Sequence, residues 1–138
     1  MFVCAVVLSI TTCAYRTQHS IIESIQNSYA ILQVTDMLIY HIKNHQGVPP
    51  KDWKDLEVAF QYVNTGYNSF TLPELRARVG IDFSQLARGL NVLRESESHE
   101  ERGRVIFLIE NSEQSETIVA EANERLWKET EGIRNDVN

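Results

Sequence analysis

From Phe2 to Tyr15 the chain carries fourteen consecutive residues without a charge, and it then continues to His45 without a glycine or a proline. Nothing else in the sequence constrains the fold as strongly. A stretch of this length with no helix breaker can form one helix of about 66 Å. From Ile21 onward the apolar residues Ile21, Ile22, Ile25, Tyr29, Leu32, Met37, Leu38, Ile39 and Ile42 recur mostly at steps of three and four, while Gln26, Gln33, Asp36 and Lys43 fall largely elsewhere. That spacing predicts one broad apolar stripe on a helix. The expected element is a rod, apolar all round at its start and half-buried farther along, with the form of a membrane-proximal stalk.

At 1.5 Å per residue the uncharged run reaches about 21 Å, short of the ~30 Å hydrocarbon core of a bilayer. Three readings compete for it: the apolar region of a secretory signal, a short membrane anchor whose helix continues through Arg16, or a buried core helix. A secretory signal normally opens on Lys or Arg, whereas this chain has nothing basic before Arg16. Ile10-Thr11-Thr12-Cys13 resembles a lipobox except that Thr stands where Gly or Ala is usual, so lipid attachment at Cys13 is an alternative. The unbroken pattern up to His45 favours a retained anchor. The expected division is residues 1–16 as membrane anchor or signal segment and residues 17–138 as a single α+β head that includes the amphipathic half of the first helix. Cys4 and Cys13 are the only cysteines and both lie in the uncharged run, so they cannot staple the head and leave the redox compartment open.

With 138 residues, 43% of them hydrophobic and 23% charged, the chain has room for one modest core and does not have the composition of a disordered or multi-span protein. The net charge of −6 is unevenly placed: residues 1–94 hold 8 Lys/Arg against 7 Asp/Glu, and residues 95–138 hold 5 against 12. An acidic final third and the lack of a basic stripe argue against nucleic acid as a partner.

Gly47-Val48-Pro49-Pro50 ends the first helix, because Gly47 can adopt the left-handed cap and the prolines forbid continuation. Lys51 to about Val63 reads as a short helix with Trp53, Leu56, Val58, Ala59, Phe60 and Val63 on it and Asp52 and Asp55 near its positive end. Residues 64–68 form a loop by composition, and Thr71-Leu72-Pro73-Glu74 has the spacing of a capping box before a brief helical turn. Val79, Ile81 and Phe83 alternate as in a half-buried strand over 78–83. Residues 92–103 read as an exposed turn, and Arg104 to Glu110 is the strongest strand signal. Glu116 to Glu131 predicts a closing helix with Ile118, Val119, Ala122, Leu126 and Trp127 on its apolar side, ended by Gly132. The predicted class is α+β: a long helix with an apolar tip packed on a small antiparallel sheet, a short helix after the Gly-Val-Pro-Pro exit and a C-terminal helix.

Tyr40, the Gly47-Val48-Pro49-Pro50 exit, Trp53 and Leu56 together resemble the end of the first helix in pilin-like proteins, including pseudopilins of type II secretion. The likeness covers roughly residues 2–60. It implies a membrane-inserted helix and a globular head on the exported, extracytoplasmic side, and the lack of any reaction-specifying motif adds the expectation of a structural or protein-interaction role with no catalytic activity. Residues 1–15 depart from that family in holding neither the glycine nor the glutamate of its processing site. Pro49 to Leu56 and Glu121 to Leu126 are also similar to anchored bacterial envelope proteins.

Candidate chemistry is sparse. His41 and His45, four apart on a helix, could share a divalent metal if Asp52, Asp55 or His99 supplied a third ligand, which is the basis of an alternative reading as a small metal-dependent enzyme. Histidines at a helix end also suit the negative pole of its dipole. Asp52 with Asp55, and Glu121 with Glu124, have acid–base spacing but read more simply as caps and surface charge. No phosphate loop or serine-nucleophile motif is present. Of the aromatic group, Trp53 and Phe60 are expected to cap the core and Tyr62 and Tyr67 to be exposed, where they could meet a protein partner. The reading favoured by the sequence is a membrane-anchored envelope protein, anchored through residues 2–15, with no catalytic, cofactor or metal site assigned. A secreted or lipid-anchored ligand-binding domain is the first alternative.

Overall fold

A computed structural model describes residues 2–63, 70–95, 103–109, 116–131 and 133, with side chains of the first helix described at Gln18 and from Ser20 onward. The fold is α+β: α1 (Phe2–Asn44), α2 (Glu57–Val63), α3 (Leu72–Arg78), β1 (Val79–Ile81), α4 (Phe83–Glu95), β2 (Ile106–Leu108) and α5 (Glu116–Glu131). Helix α1 is one uninterrupted element and serves as the spine. Helix α5 packs along it, α2 and α3 pack against it, both strands lie against α1, and β2 also lies against α5. Among the described residues, no helix is long and apolar enough to cross a membrane.

The core forms where these elements meet. Ile31, Val34, Met37, Leu38 and Ile42 of α1 are fully buried, together with Leu56, Leu75, Val79, Leu86, Ile106 and Leu126. Each such side chain contributes roughly 1.5–3 kcal/mol by leaving water, so the distal half of α1 is held by packing rather than by helix propensity. The strands pair antiparallel with Val79 opposite Leu108, Gly80 opposite Phe107 and Ile81 opposite Ile106. The Phe107 ring lies over Gly80, in the space where any side chain at that position would stand.

The apolar stripe read from α1 divides in two. Ile21, Ile22, Ile25 and Tyr29 are exposed, whereas Met37, Leu38, Ile39 and Ile42 are buried and Gln33 is buried with them. The head begins to cover α1 only at Asn27 and Ala30. Periodicity locates the apolar positions of a helix; it does not locate the length of helix that the rest of the chain reaches.

The region after Pro50 is also more broken than expected. Residues 53–56 are turns, and α2 starts at Glu57 rather than Lys51. Asp52 Oδ1 accepts from the Lys54 N–H at 2.8 Å and from the Asp55 N–H at 3.3 Å, which satisfies the backbone locally instead of through helix bonds. Val58, placed by the sequence with the apolar residues of this segment, is exposed.

A helix, α4, replaces the end of the expected 78–83 strand and the start of the expected 92–103 turn. Asp82 makes the switch. Its N–H donates to Val105 O at 2.8 Å, closing the sheet, while its Oδ1 accepts from the Gln85 N–H at 2.7 Å as a helix cap. Phe83 therefore opens a helix whose Leu86 and Leu90 face the core. The capping box at Thr71 and Glu74 is present with both of its reciprocal bonds, and α5 runs from Glu116 to Glu131 as read from the sequence. Gly132, the 64–68 loop and Glu110 lie outside the described residues.

Candidate functional site

Two features stand out beyond the core: the corner where α1 ends, and the face of α1 turned away from the head. The corner begins with an αL exit. Gln46 has φ 55° and Gly47 φ 82°, and the Gly47 N–H donates to Ile42 O at 2.9 Å, the six-residue bond of a Schellman motif. The left-handed residue that this motif requires is thus Gln46, with Gly47 following it.

His41 and His45 come together at this corner. His41 is 6% exposed, and its ring stacks on that of His45 with centroids 4.0 Å apart and planes 12° from parallel. His41 Nδ1 lies 3.1 Å from the carbonyl oxygen of Asp55, and His45 Nδ1 lies 2.8 Å from that of His41. A carbonyl can only accept, so each Nδ1 carries the proton and neither lone pair at that position is open to a metal. Burial, then the neighbouring His45, holds His41 below its ordinary pKa, against the hydrogen bond and charge of Asp55. The acidic ligand candidates are engaged in building the turn: Asp55 Oδ2 accepts from the Lys51 N–H at 2.8 Å, and Asp52 caps the residues after it. His99 lies outside the described residues, among which no cluster of three metal-ligating side chains occurs.

The aromatic side chains singled out in the sequence take different places on the head. Trp53 and Phe60 pack against the core, with the Trp53 ring edge-on to Phe83 at 6.5 Å. Tyr62 is exposed and stacks on Tyr40 at 5.2 Å. Tyr67 is outside the described residues, and Phe70, half-buried, lies under the Arg78 guanidinium.

On α5, Glu121 and Glu124 both occupy the exposed side, and Glu124 borders an open cleft of about 840 Å³ with Arg104, Trp127 and Lys128. The buried indole N–H of Trp127 has no hydrogen-bond partner among the described residues.

Asn123 is the residue whose role the sequence reading misses. It lies in the apolar stripe of α5 and is buried. Its Oδ1 accepts from the N–H groups of Val105 and Ile106 at 2.8 and 3.0 Å, and its Nδ2 donates to Ile106 O at 2.9 Å and Val119 O at 2.7 Å. The amide thereby stands in for a neighbouring strand on the free side of β2. A polar residue at an apolar-stripe position, four after Val119 and three before Leu126, was the available signal. Arg125 joins α5 to α1 through Asp36 at 2.7 Å, and Lys43 reaches Glu129 at 2.6 Å.

The outward face of α1 carries Ile21, Ile22, Ile25 and Tyr29, each at least 40% exposed. On the opposite side Asn27 Oδ1 accepts from Arg78 Nη1 at 2.9 Å, which marks where the head takes hold. Comparison with known proteins finds no matching family model, no matching curated protein and no matching solved structure.

Proposed function

We propose that this protein is a membrane-anchored component of the cell envelope, with a pilin-like α+β head that acts through protein contacts on the exported side. The observation that carries this reading is the unbroken course of α1. One helix starts in an uncharged run of fourteen residues, passes Arg16 without interruption and becomes the spine of the head only at Asn27. Such a helix couples the position of its tip rigidly to that of the head. The uncharged run spans about 21 Å, so the anchor embeds its apolar tip in lipid and leaves Arg16 and the polar residues after it at the interface. The Gly-Val-Pro-Pro exit, the small antiparallel sheet beside the spine and the short helix between them support the likeness to pilin-type heads.

Fractionation of native cells tests the reading. The full chain is expected in the membrane fraction, with its head digested by protease added to the exported side. Recovery from the soluble cytosolic fraction with an intact N-terminus removes the proposal. A mature chain that begins at Cys13 and carries a lipid replaces it with the lipid-anchored alternative.

A further inference from the structure

We infer that His41 and His45 form a two-histidine site for a borderline divalent metal ion, Zn²⁺ above all, bound through the Nε2 atoms of both rings. The site lies at the end of α1 opposite the uncharged run and is independent of the anchored reading.

Hydrogen bonds at this corner decide which ring atom is offered to a ligand. Each Nδ1–H is held by a carbonyl oxygen, that of Asp55 for His41 and that of His41 for His45. Each neutral ring therefore keeps its lone pair on Nε2. Neither Nε2 has a hydrogen-bond partner among the described residues, and neither is one of the buried atoms left without a partner, so both reach solvent. A ring N–H donated to a backbone carbonyl is the arrangement that orients metal-binding imidazoles, because it fixes the tautomer and raises the basicity of the other nitrogen.

The spacing suits one shared ion. Four residues apart on α1, the rings stack with centroids 4.0 Å apart and planes 12° from parallel. An ion with Zn–N bonds of about 2.0–2.1 Å spans ~4 Å between two ring nitrogens. Burial holds His41 in place, whereas His45 is exposed and tilts its ring to turn the second lone pair onto the ion. Asp52 and Asp55 are committed to the turn and no cluster of three metal-ligating side chains occurs among the described residues, so water completes the shell. Such a site staples the last turn of α1; it does not amount to a catalytic centre.

The charges around the pair agree. A helix C-terminus is the negative pole of its dipole, and Asp52 and Asp55 stand on the turn that folds back over it. Of the nearby cations, Lys43 is turned to Glu129 at 2.6 Å, and Lys51 and Lys54 are exposed on the turn. Burial and His45 hold His41 below its ordinary pKa, so protons compete little for its Nε2 at neutral pH. Two imidazoles select Zn²⁺, Cu²⁺ or Ni²⁺ over Mg²⁺ and Ca²⁺, which take oxygen ligands.

Calorimetric titration of the detergent-solubilised full chain with ZnCl₂ at pH 7.5 tests the site, with Cys4 and Cys13 replaced by serine so that no thiol takes the ion. One Zn²⁺ per chain is expected, and no binding of Mg²⁺. His45→Gln, which alters an exposed ring and leaves the core intact, is expected to weaken Zn²⁺ binding at least tenfold. His41→Gln is expected to do the same, whereas His19→Gln and His99→Gln leave it unchanged. In ¹⁵N spectra of the imidazoles, Zn²⁺ is expected to shift Nε2 of both residues while each Nδ1 keeps its proton. Excess Zn²⁺ is expected to raise the urea midpoint of the chain but not that of His45→Gln. No binding at millimolar Zn²⁺, undiminished binding by His45→Gln, or loss of binding in His19→Gln or His99→Gln overturns the site. None of these outcomes bears on the membrane anchor, which fractionation tests separately.

Discussion

Single side chains decide how the head closes on its spine, and Asn123 is the clearest case. Its replacement by alanine leaves the buried N–H groups of Val105 and Ile106 without an acceptor. At about 1–3 kcal/mol for each unsatisfied buried group, Asn123→Ala is expected to destabilise the fold by about 3 kcal/mol in urea unfolding. Gln46 offers the opposite case, a residue strained by the turn it occupies. At φ 55° it adopts a conformation that glycine reaches without steric cost, so Gln46→Gly is expected to raise stability by about 1 kcal/mol. His41 sets a pH dependence. Because its pKa is lowered in the folded state, the unfolded chain binds the proton more readily. The stability it contributes is complete above the unfolded value of 6.5 and is lost as pH falls through it, levelling off below the folded pKa. The urea midpoint of the protein is therefore expected to drop between pH 7.5 and 5.5, and His41→Gln to flatten that slope.

Among the elements, α4 shows most clearly what local patterns conceal. The alternation of Val79, Ile81 and Phe83 continues smoothly across a boundary at Asp82, which is set by the bond of its N–H to Val105 O on the neighbouring strand and by its side-chain cap on the Gln85 N–H. The helix after it carries a glycine at position 89, a poor helix former that costs roughly 1 kcal/mol relative to alanine. Its place is explained by the Trp127 indole, which occupies the space a β-carbon would need. Gly89→Ala is accordingly expected to destabilise by about 1–3 kcal/mol despite the better propensity, and Trp127→Phe is expected to recover part of that loss in a double-mutant cycle. The elements that are legible in the sequence have self-contained signals: α1 lacks any breaker, α3 has its capping box, and α5 combines a stripe of apolar residues with an acidic first turn. The histidine pair was legible as a pair, since four residues on a helix bring two side chains together. Its engagement with the Asp55 carbonyl was not, because that contact depends on how residues 45–56 fold back. The exposure of Ile22, Ile25 and Tyr29 was hidden for the same reason, being set by where the head stops.

At the scale of the whole molecule, one helix performs two tasks. Its distal half is the core of the head, with Ile31, Leu38 and Ile42 fully buried, and its opening run is uncharged and free of helix breakers. The ion pairs of Asp36 with Arg125 and of Lys43 with Glu129 fix α5 along that spine; the more exposed Lys43–Glu129 pair adds specificity of alignment more than energy, since exposed pairs contribute about 0–1 kcal/mol. Removing residues 2–15 is expected to leave the head folded, with a urea midpoint close to that of the full chain, because the described core begins at Ala30. The most direct test of the anchoring claim is flotation of the purified full chain with lipid vesicles, beside the chain lacking residues 2–15. The full chain is expected to float with the vesicles through an alkaline carbonate wash and the shortened chain to stay at the bottom of the gradient. Equal behaviour of the two, either both floating or both remaining below, would contradict an anchor in that run.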